Sequence, residues 1–202
     1  MAENLNSSKF LKGEDIPQAK TLDEWNKASE NGRPAWCYYD NRSIQDDPVN
    51  GSKYGKLYNW YAVNDRRVIA PKGWHIPTDD EWTMLSNALG GTTKSGSKLK
   101  ASDSWTEKLP TTLKSGFNAL PSGMRYDGGL PVPDEDDIDS LNEDFTSQEN
   151  GFDGLAVYAV FWSSNDQGYG TAIIRECRVN TNTLKRDTYA KQHSYSVRCV
   201  KN

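Results

Sequence analysis

The sequence predicts an α+β fold in which two helices pack on a small, mostly antiparallel, twisted sheet joined by long loops. Three observations carry that expectation. Two helix-start signatures each lead into an apolar stripe of helical period, six short stretches are rich in β-branched and aromatic residues, and Gly, Pro, Asn and Asp fill the gaps.

The first helix opens at Thr21-Leu22-Asp23-Glu24, a capping box in which the threonine hydroxyl accepts from the Glu24 N–H and the glutamate reaches back. Leu22, Trp25 and Ala28 then share a face, and Gly32 ends the helix. The second opens at Thr78-Asp79-Asp80-Glu81 with the same chemistry, followed by Trp82, Leu85 and Leu89 and stopped by Gly90-Gly91. The likeness of TLDEW to TDDEW is short, and capping alone selects that pattern. The candidate strands are residues 35–39, 57–63, 117–120, 157–163, 172–179 and 195–200. In the last of these Tyr195, Val197 and Cys199 alternate onto one face.

At 202 residues the chain suits one domain, residues 1–202. Only 35% of residues are hydrophobic, so the core rests on large rings, among them 7 Trp and 10 Tyr. Each such ring can bury about 150–250 Å². The formal net charge is -4 with no dense Lys/Arg run, which argues against a nucleic-acid partner. No stretch approaches the roughly 20 apolar residues of a membrane span, and residues 1–4 lack the basic start and apolar run of an export leader. Cys37, Cys177 and Cys199 lie far apart, none in C-x-x-C spacing, and read as buried free thiols acting as small hydrophobes. Were two of them to pair, Cys37 with Cys199 is the bridge expected.

Residues 131–154 stand apart. They carry nine carboxylates and no Lys or Arg, a block that repels itself unless it is solvated or neutralised. It is either a solvated insertion or a cation site.

Several blocks occur together in one order: MAENL (1–5), YGKLYNWYAV (54–63), APKGWHIPTDDEW (70–82), SGFNALPSGMR (115–125), FWSS (161–164) and SYSVRCVK (194–201). In these the chain resembles the Fibrobacter succinogenes major paralogous domain family over nearly its whole length. The resemblance implies a C-type-lectin-like fold, distantly similar to the formylglycine-generating-enzyme group, and export to the envelope of Bacteroidetes-type bacteria. The family carries no established activity to transfer residue by residue. The acidic insertion at 131–154 is the main departure from its pattern.

Catalytic chemistry finds little support. His75 lies between a strand and a helix start and reads as structural, and His193 sits in a polar stretch. There is no G-x-S-x-G elbow and no phosphate-binding glycine loop. The closely spaced cysteine pair used by formylglycine-generating enzymes is missing, since Cys177 and Cys199 are far apart. No catalytic residue is therefore expected. Binding is the better expectation. Calcium takes about 6–8 oxygen ligands, and Asp134, Asp136, Asp137 and Asp139, with the Asn165-Asp166 pair after Trp162, faintly echo a lectin calcium loop. Calcium is thus the candidate cofactor, although Val132 stands where such a loop carries a polar residue. Without metal, sugar faces stack on exposed rings, and Tyr126, Tyr158, Tyr169 and Tyr189 lie in or beside Gly- and Asp-rich loops. Tyr58, Trp60 and Trp74 are assigned to packing. The expected function is a surface module that recognises a glycan or a surface protein through residues 124–170. A structural part in a surface assembly is the alternative, and hydrolase or oxidase activity a more remote one.

Overall fold

Both predicted helix starts form, and each drives a tryptophan inward. In α1 (Leu22–Glu30) the Thr21 hydroxyl accepts from the Glu24 N–H at 3.1 Å while the Glu24 carboxylate accepts from the Thr21 N–H at 3.0 Å. Thr78 and Glu81 repeat the reciprocal pair at the head of α3 (Asp79–Ala88). Trp25 and Trp82 are buried beneath them. The computed structural model describes residues 1–41, 53–101, 104–105, 115–126 and 151–202.

Two further helices were not foreseen. The stretch at 57–63 was expected to be one strand, but only Leu57–Tyr58 (β2) is extended, pairing with Trp36–Cys37 (β1). Asn59 ends it by turning cap: its side-chain oxygen accepts from the Ala62 N–H at 3.1 Å and starts the single turn α2 (Trp60–Val63). Behind α3, Gly91 starts α4 (Thr92–Leu99), whose buried residues are Ser95, Gly96 and Leu99.

Among the described residues the expected sheet is four small antiparallel pieces. A meander runs in the order Tyr158–Gly168 (β6), Thr171–Arg178 (β7), Leu184–Ala190 (β8). Ribbons join Trp74–His75 (β3) to Val200–Lys201 (β9) and Ser122–Arg125 (β4) to Phe152–Leu155 (β5). Strand 117–120 shrinks to one bridge between Ala119 and Lys100, and 195–200 to isolated bridges plus β9.

Strand β6 divides the core. Val160 and Trp162 enter a cluster with Tyr58, Trp36 and Tyr195, while Ala159 and Phe161 enter another with Trp82 and Leu99. Burial on both faces explains why this strand reads as a continuous apolar run. A third cluster gathers Trp25, Leu57 and Phe152. Each buried indole also carries an N–H that needs a partner. Trp36 donates to Ile16 O (2.8 Å), Trp162 to Tyr58 O (2.8 Å) and Trp105 to Ala119 O (3.1 Å), so the rings fasten the loops that pass over them. The three cysteines are buried free thiols, with burial pushing Cys37 and Cys199 up to about 11 and Cys177 to about 12. The Cys37–Cys199 bridge is not formed, and the two residues belong to different clusters.

The two ends of the chain are stitched together. Leu5 N–H donates to Val197 O at 2.8 Å and the Met1 ammonium to Cys199 O at 2.9 Å, so the first residues run antiparallel to the last strand region. Arg198 locks the seam. Its buried guanidinium donates to Asn4 Oδ1 (2.6 Å), Met1 O (3.2 Å), Phe117 O (2.6 Å) and Asn118 O (2.9 Å). Burial lowers its pKa to about 10, which leaves it charged at neutral pH.

Candidate functional site

The residues expected to bind ligand do not form one site. Tyr169 stands fully exposed at the β6–β7 turn, with Asp166 nearby. The Asp166 carboxylate accepts from Lys191 Nζ and from the Gly168 N–H at 2.8 Å each, and these bonds hold its pKa below the ordinary range. Asn165 is occupied too: its Oδ1 accepts from the Asp79 N–H at 2.7 Å and helps cap α3. Tyr158 lies at the far end of β6, roughly 25 Å from Asp166 at about 3.3 Å per residue, half-buried beneath the Arg178 guanidinium. Tyr126 is only 2% exposed, because β4–β5 pairing carries it inward, and it offers no face for a sugar to stack on. Tyr189 is half-buried against His193 and Tyr195. Asp134, Asp136, Asp137 and Asp139 lie outside the described residues. Among the described residues no three His, Cys, Asp or Glu side chains gather as metal ligands.

A different surface has the shape of a site. A groove of about 510 Å³ runs between α3 and the β3–β9 ribbon, walled by Trp74, Trp82, Met84, Leu85, Phe117 and Val200. Met1 closes one side, and Glu81, Arg198 and Lys201 supply its charged atoms. Helix α3 is held in place from below: Asp79 pairs with Arg175, and its second carboxylate oxygen accepts from Arg186 Nε at 2.8 Å. With Trp82 committed to the core, Met84 points away from that face and is 69% exposed. Met1 and Val200 are exposed as well, so three of the six large exposed hydrophobic side chains among the described residues line this groove. Trp74, assigned to packing from the sequence, does pack against the cluster that holds Tyr58 and Trp162, and it is partly exposed on the groove wall. Met84 had a legible signal, since it falls outside the Trp82, Leu85, Leu89 stripe of its helix.

His75 sits behind Trp74 in a tether. Its Nε2 meets Glu81 Oε1 and its Nδ1 meets Asn202 Oδ1, each at 2.7 Å. Both acceptors favour the doubly protonated ring, and the bonds to Asn202 and Glu81 raise the pKa. Burial opposes ionisation of Glu81, yet the bonds from Thr78 and His75 outweigh it and lower its pKa. With both ring nitrogens donating, His75 has none left to accept a proton from a nucleophile. The tether joins the last residue to the start of α3. Because the folded pKa is raised, its stabilisation is complete below the ordinary imidazole value of about 6.5. It is lost as pH rises through the folded value. The side chain is 39% exposed, so the effect is below about 1 kcal/mol. Urea midpoints from acid to alkaline pH should fall across this window in the wild type and stay flatter in His75→Gln; parallel curves would refute the tether.

The profile of the Fibrobacter succinogenes major domain matches residues 1–201. The chain belongs to the Fibrobacter succinogenes major domain family. Neither a curated protein nor a solved structure matches it significantly. The groove of this Fibrobacter succinogenes major domain is built by residues of the blocks at 70–82, 115–125 and 194–201, together with Met1 and with Met84 and Leu85 of α3. No helix among its described residues is long and apolar enough to cross a membrane.

Proposed function

We propose that the protein is a non-catalytic binding module of the cell surface, exported and C-type-lectin-like in arrangement, that holds an apolar segment of a protein partner in the groove between α3 and β9. One observation carries the reading: the groove is walled by apolar side chains, three of them exposed to water without a partner among the described residues. Large exposed apolar patches mark contact surfaces, and flexible methionines suit a wall that must adapt. A glycan fits this groove less well, because the Arg198 donors are consumed internally and few polar atoms remain for hydroxyls. The rim supplies the partner's polarity. Lys201 is exposed, while Glu81 is occupied by His75 and Thr78. The fitting occupant is a peptide segment with a bulky apolar side chain flanked by Asp or Glu.

Selection of a random displayed-peptide library on the intact protein tests this. Enriched peptides should share an apolar residue beside an acidic one and bind Met84→Glu about tenfold or more weakly, as loss of a central contact requires. Peptides of unrelated pattern, or binding indifferent to Met84→Glu, would remove the groove as the site.

A further inference from the structure

A second cleft, about 530 Å³, opens beside α2 and has the opposite character. One side is aromatic, from Trp60 and Tyr61 with Gly32 beside them, and the other is polar, from residues 64–67. Asn59 sets the geometry by capping α2. Trp60 turns inward, 3% exposed, with its indole N–H on Ser163 O at 3.2 Å, and Tyr61 is left half-exposed. Gly32 flanks the Tyr61 ring, and a Cβ there would lie 3.6 Å from Tyr61 Cε1, so its absence leaves that flank uncovered.

The polar side is arranged so that one cation is spare. Asp65 accepts from Arg67 Nε at 2.8 Å and from Arg67 Nη2 at 2.6 Å, and that guanidinium also lies 4.0 Å over the Phe10 ring. Asp65 and Arg67 therefore neutralise each other. Arg66, between them in sequence, is exposed and has no hydrogen-bond or ion-pair partner among the described residues, and Asn64 beside it is exposed too. The turn that presents Arg66 is held in a costly shape. Val68, a β-branched residue, sits at φ 59. Such left-handed conformations are disfavoured for branched side chains and persist where surrounding structure imposes them. Here Val68 N–H donates to Asp65 O at 2.9 Å and Val68 O accepts from the Leu11 N–H at 2.8 Å.

A half-exposed ring, an exposed amide and an unpaired guanidinium around one open cleft define a chemical class of ligand. We propose that this cleft binds an acidic saccharide, a pyranose bearing a carboxylate. The CH face of the sugar lies on Tyr61, Asn64 meets a hydroxyl, and Arg66 takes the carboxylate through paired N–H donors. This site is independent of the apolar groove, and either reading stands if the other fails.

The probes are an array of uronate- and sialate-containing glycans with neutral counterparts, and galacturonate oligomers as free acids and as methyl esters. The intact protein should bind acidic members of the array, and esterification should weaken oligomer binding about tenfold or more, as loss of a charge-assisted hydrogen bond to arginine predicts. Arg66→Gln and Tyr61→Ala should each cost a similar factor, Arg66→Lys less, and Met84→Glu nothing. Thermal melts of these surface variants confirm that they fold. Binding should weaken with salt and survive a calcium chelator. Equal binding of acid and ester, no binding to any acidic glycan, or binding that survives Arg66→Gln would overturn the proposal. Calcium-dependent binding would also overturn it and place saccharide recognition elsewhere.

Discussion

Replacing Arg198 with methionine is expected to lower the unfolding free energy by about 3 kcal/mol or more. Methionine matches the aliphatic stem but supplies no donor. Four oxygens from two separate segments, Asn4 Oδ1 and Met1 O in one and Phe117 O and Asn118 O in the other, then lose their shared partner. The Phe117 ring also loses the cation 4.5 Å from its centroid. Those losses fall on the N-terminal strip, the last strand region and the wall of the apolar groove together. Urea unfolding followed by tryptophan fluorescence would measure the change, since seven Trp residues report on the core. Arg198→Lys, which keeps the charge but not the fork of donors, should recover only part of the loss. A methionine variant within about 1 kcal/mol of wild type would mean that water replaces these bonds at little cost.

Gly96→Ala should destabilise the protein by about 1–3 kcal/mol, against the ordinary sign of this change. In an exposed helix interior, alanine gains about 1 kcal/mol over glycine. Here the added Cβ would stand 2.2 Å from Thr183 O, 2.5 Å from Thr183 C and 2.8 Å from Asn182 O, all backbone atoms of the turn before β8. Neither the helix nor that turn can yield alone, because the Ser97 N–H also donates to Asn182 O at 3.3 Å. Calorimetric Tm values decide it: a rise in Gly96→Ala would show that α4 does not approach the turn this closely.

What the sequence disclosed depends on how local each determinant is. Helices α1 and α3 were legible because their capping boxes lie within four residues, Thr21 to Glu24 and Thr78 to Glu81. Helix α4 was not. Its Gly96 faces a turn more than eighty residues away and its buried Ser95 meets Ser86 of α3, relations that no periodicity records. Strand β8 was missed because Lys185, Arg186 and Asp187 lie in its middle, giving it the look of a solvated loop. Asn59 carried a readable sign, a cap residue in an apolar run, yet the aromatic residues around it suggested an unbroken strand.

The candidate sites show the same division. Tyr126 looked exposed because Asp and Gly follow it, but the pairing of β4 with β5 buries it. Asn165 looked like a ligand because it precedes Asp166, whereas it caps a helix that begins 86 residues earlier. Spare chemistry emerges only after the internal partners of each group are assigned. By that count Arg66 remains unpaired and Met84 uncovered, while Asp166, His75 and Arg198 are already engaged.

The seam between the first and last residues also governs how the molecule would respond to tension. The Met1–Cys199 and Leu5–Val197 bonds lie in antiparallel order, so a pull applied between the two ends loads them in succession, as in a zipper. Resistance at any moment is then that of a single bond, well below that of a strand pair sheared along its length. The Met1–Cys199 contact and the Arg198 clasp on Met1 and Asn4 bear the first load on the N-terminal side, and the β3–β9 pairs with the His75–Asn202 tether bear it on the C-terminal side, while the meander lies outside the path of force until they open. Under traction the protein would yield at its margin before its centre, paying out a short slack while β6, β7 and β8 stay folded.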